Sequence, residues 1–313
     1  METFNFNNLK KIEIEDKPVL TGYLKPCNNI LCDYNFTNLY SWGHIFQTKW
    51  ALFENSLILY NSREDYILSP CANTACRSEK NESGEILRVT PEKLINISDS
   101  FIKSGKSGNF ILLDKDFVEK LKDALEKWFD IIPDENNADY IYSTIKLVEL
   151  KGKKLHKKKN LISQFVRENP DYVVAELTPA DKKACFDLSE KWCKTKNCDK
   201  LGFSHETSAL LKVFEKFEEL EAGGLVIKLK NEPVAFSVFS KQNSETYTVH
   251  YEKFDSEIKG AGQIINWETA KYLLDKCKYI NREQDMGIEG LRQAKKSYDP
   301  DFILLTYKLI RKK

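Results

Sequence analysis

The sequence is short of almost every feature that declares a chemistry at sight. Forty-eight Lys and Arg offset forty-seven Asp and Glu, leaving a formal charge of +1. That excludes the global positive field of a general nucleic-acid coat protein, so any polyanion site must be local. No stretch approaches the ~20 apolar residues that cross a bilayer. The opening METFNFNNLKKIEIED lacks the apolar run of a signal peptide, and a cytoplasmic chain is expected. There is no proline-rich linker and no low-complexity segment. Neither GxSxG nor a phosphate-cradling P-loop occurs, and no two of the four histidines fall at a metal-pair spacing. Nucleophilic-serine and zinc hydrolysis are therefore disfavoured, and no metal is expected.

Cysteine is present but weakly patterned. The eight lie at 27, 32, 71, 76, 185, 193, 198 and 277. In a cytoplasmic chain they should be reduced thiols, mostly buried as small hydrophobes. Cys27/Cys32 and Cys71/Cys76 sit at the edge of zinc-ligand spacing, which admits a four-thiolate site. Separate thiols on loops and helix faces are the preferred reading.

What is present suits packed cores: 42% hydrophobic and 12% aromatic residues in 313 positions, a length for which two domains are the natural count. TKWALFENSLILYN reads as two strands around a Glu-Asn-Ser turn. PEKLINISDSFIKS is a helix and NFILL a strand. In KDFVEKLKDALEKW, Phe117, Leu121, Leu125 and Trp128 share a helical face. Ser143 can cap TIKLVEL, and the helix continues, with or without a break near Gly152, until Asn169-Pro170 stops it. DYVVAEL is then a strand, and Thr178-Pro179 opens the next helix.

Within that helical stretch, LKGKKLHKKKN (150–160) packs six lysines and His156 into eleven positions. On a helix, Lys151, Lys154 and Lys158 fall on one side and Lys153 and Lys157 on the next, while Leu155, Ile162 and Phe165 or Val166 face the core. Glu149 precedes the run and no acid lies inside it. One reading is a solvated lysine face. The other is a site for an anion, because unrelieved like charge is unfavourable: a tRNA backbone, a diphosphate or other phosphorylated small molecule, or an anionic membrane surface would serve.

From residue 171 the order is strand, two helices, three strands, glycine-containing loop, helix, strand, helix, strand. This order resembles the N-acetyltransferase (GNAT) fold. In that fold the loop after the fourth strand turns backbone amides toward a pyrophosphate or an acyl oxygen. In KGAGQ, Gly260 and Gly262 permit close approach, and the helix start near Gln263 supplies free N–H groups. The same residues also suit an ordinary helix start. His250 shares a strand face with Thr246 and Thr248, near where a GNAT substrate would lie.

Three segments carry a more specific likeness: CDYNFTNLYSW, NADYIYSTIKLVELKGKKLHKKKN and NREQDMGIEGLRQAKKSYDP. They resemble the signature segments of the phosphatidylglycerol lysyltransferase C-terminal-domain family. The resemblance implies an α+β fold with a mixed sheet, arranged as two tandem GNAT-like domains, 1–169 and 170–313, related to Fem-type aminoacyltransferases that use charged tRNA as donor. The large membrane-embedded region common in lipid-acting lysyltransferases has no counterpart in the sequence. The implied activity is transfer of an aminoacyl group from aminoacyl-tRNA to an amine or hydroxyl, with no cofactor required. Glu283 or Asp285 would hold the donor's ammonium or serve as base, Asn281 would line the cleft, Arg292 and Lys295 would meet phosphate, and Tyr298 would be a general acid. The competing reading of the same polar groups is an internal salt-bridge cluster, with Tyr298 packed. Two other functions compete: an acetyl-CoA-dependent N-acetyltransferase using the Gly262 loop, and a non-catalytic module docking RNA or anionic membrane through the lysines.

Overall fold

The structure is a computed structural model. It describes residues 3–27, 29–72, 89–196 and 205–313, without the side chains at 26, 27, 195 and 196. Two compact units share the chain: 1–29, 38–138 and 305–313 form one, and 30–37 with 139–304 the other.

The first unit carries strands Lys10–Lys11 (β1), Thr48–Phe53 (β2), Ser56–Asn61 (β3), Tyr66–Leu68 (β4), Cys71–Ala72 (β5) and Phe110–Asp114 (β6). Their order is β1-β2-β3-β4-β6, antiparallel except for parallel β4/β6, and β5 pairs with β3. The β2–β3 hairpin turns on Glu54 and Asn55, both at positive φ (42° and 56°), the conformation a two-residue loop needs to match strand twist. Helices Lys17–Cys27 (α1), Phe36–Phe46 (α2, this unit from Asn38), Pro91–Lys103 (α3), Lys115–Lys120 (α4) and Lys122–Leu125 (α5) complete it. The expected helix across KDFVEKLKDALEKW is broken at Leu121, and Trp128 is 44% exposed under the Arg311 guanidinium instead of joining the buried face. The core gathers Phe53, Ile58, Leu94, Phe101, Phe110, Phe129 and their neighbours.

The second unit begins with the last part of Phe129–Ser143 (β7), followed by Thr144–Glu149 (α6), His156–Glu168 (α7), Val173–Glu176 (β8), Lys182–Lys196 (α8) and Glu206–Glu215 (α9). The meander Gly223–Leu229 (β9), Glu232–Lys241 (β10) and Thr246–Phe254 (β11) comes next. Ala261–Leu273 (α10), Tyr279–Asn281 (β12) and Glu289–Lys296 (α11) follow, and Phe302–Arg311 (β13), which belongs to the first unit from Leu305 onward, pairs there with β6. The sheet runs β7-β12-β11-β10-β9-β8, with β11/β12 parallel and the other neighbours antiparallel. The architecture is mixed α+β, as expected.

Two irregularities shape this sheet. β12 pairs with β11 only over Thr246–Thr248, while β11 continues to Phe254. On its other edge, β11 slips register against β10 so that Val238 faces Tyr251 and Phe239 faces Val249, which makes His250 the extra, bulged residue.

The unit division differs from the expected boundary at Asn169/Pro170, which falls inside the second unit. The reason is packing. Leu147, Leu150, Leu155, Ile162 and Phe165 of the α6–α7 region share one core with Ile264, Ile265 and Leu273 of α10. The basic stretch is interrupted: Leu150 is left-handed (φ 48°), Gly152 also has positive φ, and α7 restarts at His156, so only Lys157 to Lys159 are helical. The helix expected from Thr178-Pro179 starts a turn later, at Lys182, because Thr178 bonds Asp181 through both its N–H and its hydroxyl.

Cys32, Cys71, Cys185 and Cys277 are buried thiols, whereas Cys193 is disulfide-bonded, against the expectation of reduced thiols throughout. Cys76, Cys198 and the Cys27 side chain lie outside the described residues. Among the described residues, no group of three or more His, Cys, Asp or Glu is placed to hold a metal ion. No described helix is long and apolar enough to cross a membrane.

Candidate functional site

The end of β12 in the second unit is where polar groups collect. Asn281, fully buried, donates from Nδ2 to Asp139 Oδ2 (2.6 Å) and to the Ile30 carbonyl (2.7 Å), and its Oδ1 accepts from Glu283 N (2.7 Å). Asp139 Oδ2 also accepts from Cys32 N (2.6 Å), and its Oδ1 lies 3.3 Å from the Cys32 thiol. Gln284 Nε2 donates to Asp33. Burial pushes the Asp139 carboxyl up to about 6, against the hydrogen bonds from Asn281 and Cys32. Burial, reinforced by the Asp139 charge, pushes Asp33 up to about 7. The Cys32 thiol is driven well above its ordinary range by burial and then by Asp139, Asp33 and Glu283, so it is a buried thiol and not a thiolate.

Glu283 stands at the edge of this cluster, with 21% of its side chain exposed. Its backbone is left-handed (φ 60°), as is that of Met286 (φ 53°), an uncommon conformation for non-glycine residues that concentrates at sites whose geometry matters more than local comfort. Glu283 Oε1 lies 2.9 Å from His250 Nδ1, and His250 Nε2 lies 2.8 Å from Ser240 Oγ. Ser240 Oγ lies 3.1 Å from Asn35 Oδ1. The bulge at His250 turns its ring into this line. Lys295, on α11, donates its Nζ to the Arg282 carbonyl; burial lowers its ammonium to about 8, with Glu283 opposing the shift.

Asp285 takes a different part. It is fully buried and gripped by Arg292, Nε to Oδ2 and Nη2 to Oδ1 both at 2.9 Å, with Tyr140 Oη at 2.6 Å and Gly287 N at 2.8 Å. Burial pushes its carboxyl up, but these bonds outweigh it and hold the group below the usual range. Here Asp285 and Arg292 form the internal salt-bridge cluster, with Arg292 facing a carboxylate in place of phosphate. Arg282 is held similarly: Nη2 to Glu252 at 2.9 Å, with Asn266 on the same carboxylate at 3.0 Å. Tyr298 is 5% exposed, its ring flanked by Lys158 Nζ (4.3 Å) and Arg282 (4.8 Å), and burial drives its hydroxyl well up. That is a packed position.

The glycine loop is tightly packed. A Cβ on Gly260, whose φ is +85°, would sit 2.6 Å from the Leu161 carbonyl of α7, and one on Gly262 would sit 2.7 Å from the Phe254 ring. The Gln263 N–H already bonds the Gly260 carbonyl at 3.0 Å. In the basic segment, Lys151 pairs with Glu149 (2.7 Å) and Lys154 with Asp299 (2.6 Å), a partner far along the chain. Lys153, His156, Lys157 and Lys159 are exposed, Lys158 is half-buried, and burial followed by Arg282 lowers its ammonium. Of the sequence-derived residues, the structure thus brings Asn281, Glu283, Lys295 and His250 together, and sets Asp285 and Arg292 beside them as scaffold.

Cys32, Asp33, Asn35, Ser240, Arg282 and Gln284 escaped attention as site residues. Cys32, Asp33 and Asn35 lie in one signature segment and Arg282 and Gln284 in another, and that was the available signal. Ser240 offered none, because only the β10–β11 register brings it to His250.

Residues 90–310 match the family model described as "Phosphatidylglycerol lysyltransferase, C-terminal". A conserved protein of unknown function from Bacteroides thetaiotaomicron VPI-5482 is 32% identical, covering 97% of this chain and 99% of that one, with a TM-score of 0.85. The C-terminal domain of a putative lysylphosphatidylglycerol synthetase from Agrobacterium fabrum is 12% identical over 96% of this chain and 92% of that one, with a TM-score of 0.62. FemX is 9% identical over 96% and 97%, with a TM-score of 0.54, and with the previous structure shows the fold. An uncharacterized protein of Mycoplasmoides gallisepticum is 22% identical over 178 residues, 55% of this chain and 56% of that relative's length.

Proposed function

The chain belongs to the phosphatidylglycerol lysyltransferase C-terminal family, and from that membership we propose that it transfers an aminoacyl group from aminoacyl-tRNA to an amine or hydroxyl acceptor. The observation that carries the reading is Glu283, a partly exposed carboxylate in strained backbone beside half-buried Asp33 and buried Asp139. In this reading the acceptor nitrogen or oxygen attacks the carbonyl carbon of the aminoacyl ester. The ester C–O bond breaks, the ribose hydroxyl leaves, and the proton shed by the acceptor passes through Glu283. No covalent enzyme intermediate is required. The acidic surroundings favour a cationic amine, whether on the acceptor or on the aminoacyl group. The exposed Lys153, Lys157 and Lys159 offer the tRNA backbone a place to dock. An acyl-CoA donor is less favoured, since the Ala261 and Gln263 N–H groups of the glycine loop are already bonded, to the Ile258 and Gly260 carbonyls.

The test uses radiolabelled lysyl-tRNA with hydroxylamine as a minimal nucleophile. Formation of lysyl hydroxamate by the wild-type chain, falling about 100-fold in Glu283→Gln, is expected. Acetyl hydroxamate from acetyl-CoA, with none from lysyl-tRNA or a mixed aminoacyl-tRNA pool, would overturn the choice of donor.

A further inference from the structure

The line Asn35–Ser240–His250–Glu283 looks at first like a nucleophilic serine with its base, and its hydrogen bonds argue otherwise. Asn35 fixes the direction. Its Oδ1 accepts from the Thr37 backbone N–H at 2.9 Å, and its Nδ2 donates to the Lys241 carbonyl at 3.4 Å; neither partner can reverse its role. The atom facing Ser240 Oγ at 3.1 Å is therefore an acceptor, and the single hydroxyl proton of Ser240 points to Asn35. Ser240 then turns a lone pair toward His250 Nε2 at 2.8 Å, and two lone pairs cannot face each other at that distance in a buried site. Nε2 must carry a proton. At the other side of the ring, Nδ1 and Glu283 Oε1 approach to 2.9 Å, which again requires a proton between them.

We infer that the His250–Glu283 pair holds one proton more than a neutral imidazole beside a carboxylate, and that this stored proton serves the transfer as its general acid. The inference rests on the transfer reading above and deepens it. The pair is net neutral whichever atom holds the shared proton, as suits a buried imidazole and a partly buried carboxyl near Asp33, Asp139, the Cys32 thiol and the Lys295 ammonium. In the reaction, the proton between Nδ1 and Oε1 goes to the departing ribose oxygen as the ester C–O bond breaks. The N–H or O–H proton released by the acceptor then reloads Glu283, so the protein ends each cycle as it began. Glu283 is the exposed end of this pair, and His250, Ser240 and Asn35 are positioning residues that keep it loaded.

Two measurements decide the matter. With 15N-labelled histidine, and His250 assigned by loss of its signals in His250→Asn, the Nε2 resonance is expected to show a directly bonded proton. An Nε2 without one, which is the state of a base beside a nucleophilic serine, overturns the proton placement. In the second, Glu283→Gln is compared on lysyl-tRNA and on lysine p-nitrophenyl ester, whose leaving group departs without protonation. A loss on the first at least about tenfold greater than on the second is expected of a lost acid, the second losing only the uptake of the acceptor's proton. Equal losses on both, or a lysyl adduct on Ser240 by mass spectrometry, would overturn the acid role. If the wild-type chain transfers nothing, the acid role falls with the reading it rests on, while the Nε2 resonance still decides where the protons are.

Discussion

Glu283 and Asp285 are near neighbours on one loop, and the protein treats them in opposite ways. Asp285 is fully buried, with both oxygens taken by a guanidinium fork, a phenol and a backbone amide. Glu283 keeps part of its side chain exposed and faces a histidine. A carboxylate whose lone pairs are all engaged by fixed donors contributes rigidity and little chemistry. One that shares a proton with a titratable partner can change state during a reaction. The first anchors α11 through Arg292 so that the second can hold a left-handed backbone.

The comparison breaks or sharpens most clearly in stability. Asp285→Asn weakens the bonds that the Arg292 fork, the Tyr140 hydroxyl and the Gly287 N–H make to a buried carboxylate, and a loss of about 1 to 3 kcal/mol in urea-unfolding free energy is expected. Glu283→Gln should change it by less than about 1 kcal/mol. Similar losses in both variants would mean that both carboxylates are structural. The next effect is a pH dependence set by the raised carboxyls. Asp139 moves from 3.8 to about 6 and Asp33 from 3.8 to about 7, so the folded chain keeps protons that the unfolded chain has released. With fewer protons bound in the unfolded state, stability falls as pH rises from about 4 to about 7 and then levels. Asp139→Asn should flatten the lower part of that decline, by on the order of 2 to 3 kcal/mol, in unfolding curves taken across the range. The smallest effect belongs to the lysines: replacing Lys153, Lys157 and Lys159 together by Ala should alter stability by under about 0.5 kcal/mol. If they meet phosphates, the same variant should lower the slope of log affinity for tRNA against log salt by about 0.7 to 0.9 for each phosphate no longer neutralised.

Much of the fold was legible because it follows local rules. The β9–β11 meander was written in alternation, and its first turn, expected at Asn231-Glu232, falls one residue earlier, on Lys230 and Asn231, both at positive φ. The loop after β12 was legible too, as a cluster of mixed charge, but its division of labour was not. Nothing local separates Glu283 from Asp285; Arg292 does so only once α11 sets the fork in place. The lysine segment misled in a different way. Its charge looked unrelieved because Asp299, which pairs with Lys154, lies beyond any local window. The boundary at Asn169 looked natural because a proline stops the helix there, whereas the core joins α6 and α7 to α10 across it. His250 was singled out for its strand face, and its bulge, which depends on the register with β10, was invisible.

The segment 30–37 lies in the second unit although the chain on either side of it belongs to the first. It supplies Cys32, Asp33 and Asn35, while the atoms they bond belong to Asp139, Ser240 and Gln284. During synthesis this piece emerges early and must wait, its partners unmade, until nearly the whole chain has left the ribosome. Contacts so distant in sequence close late and slowly. A fragment starting at Asp139 would contain β8 to β12 and the end of β7 and still lack one wall of the polar cluster. Any effort to dissect the chain must therefore carry the early segment along, for instance as an added peptide restoring the missing wall in trans.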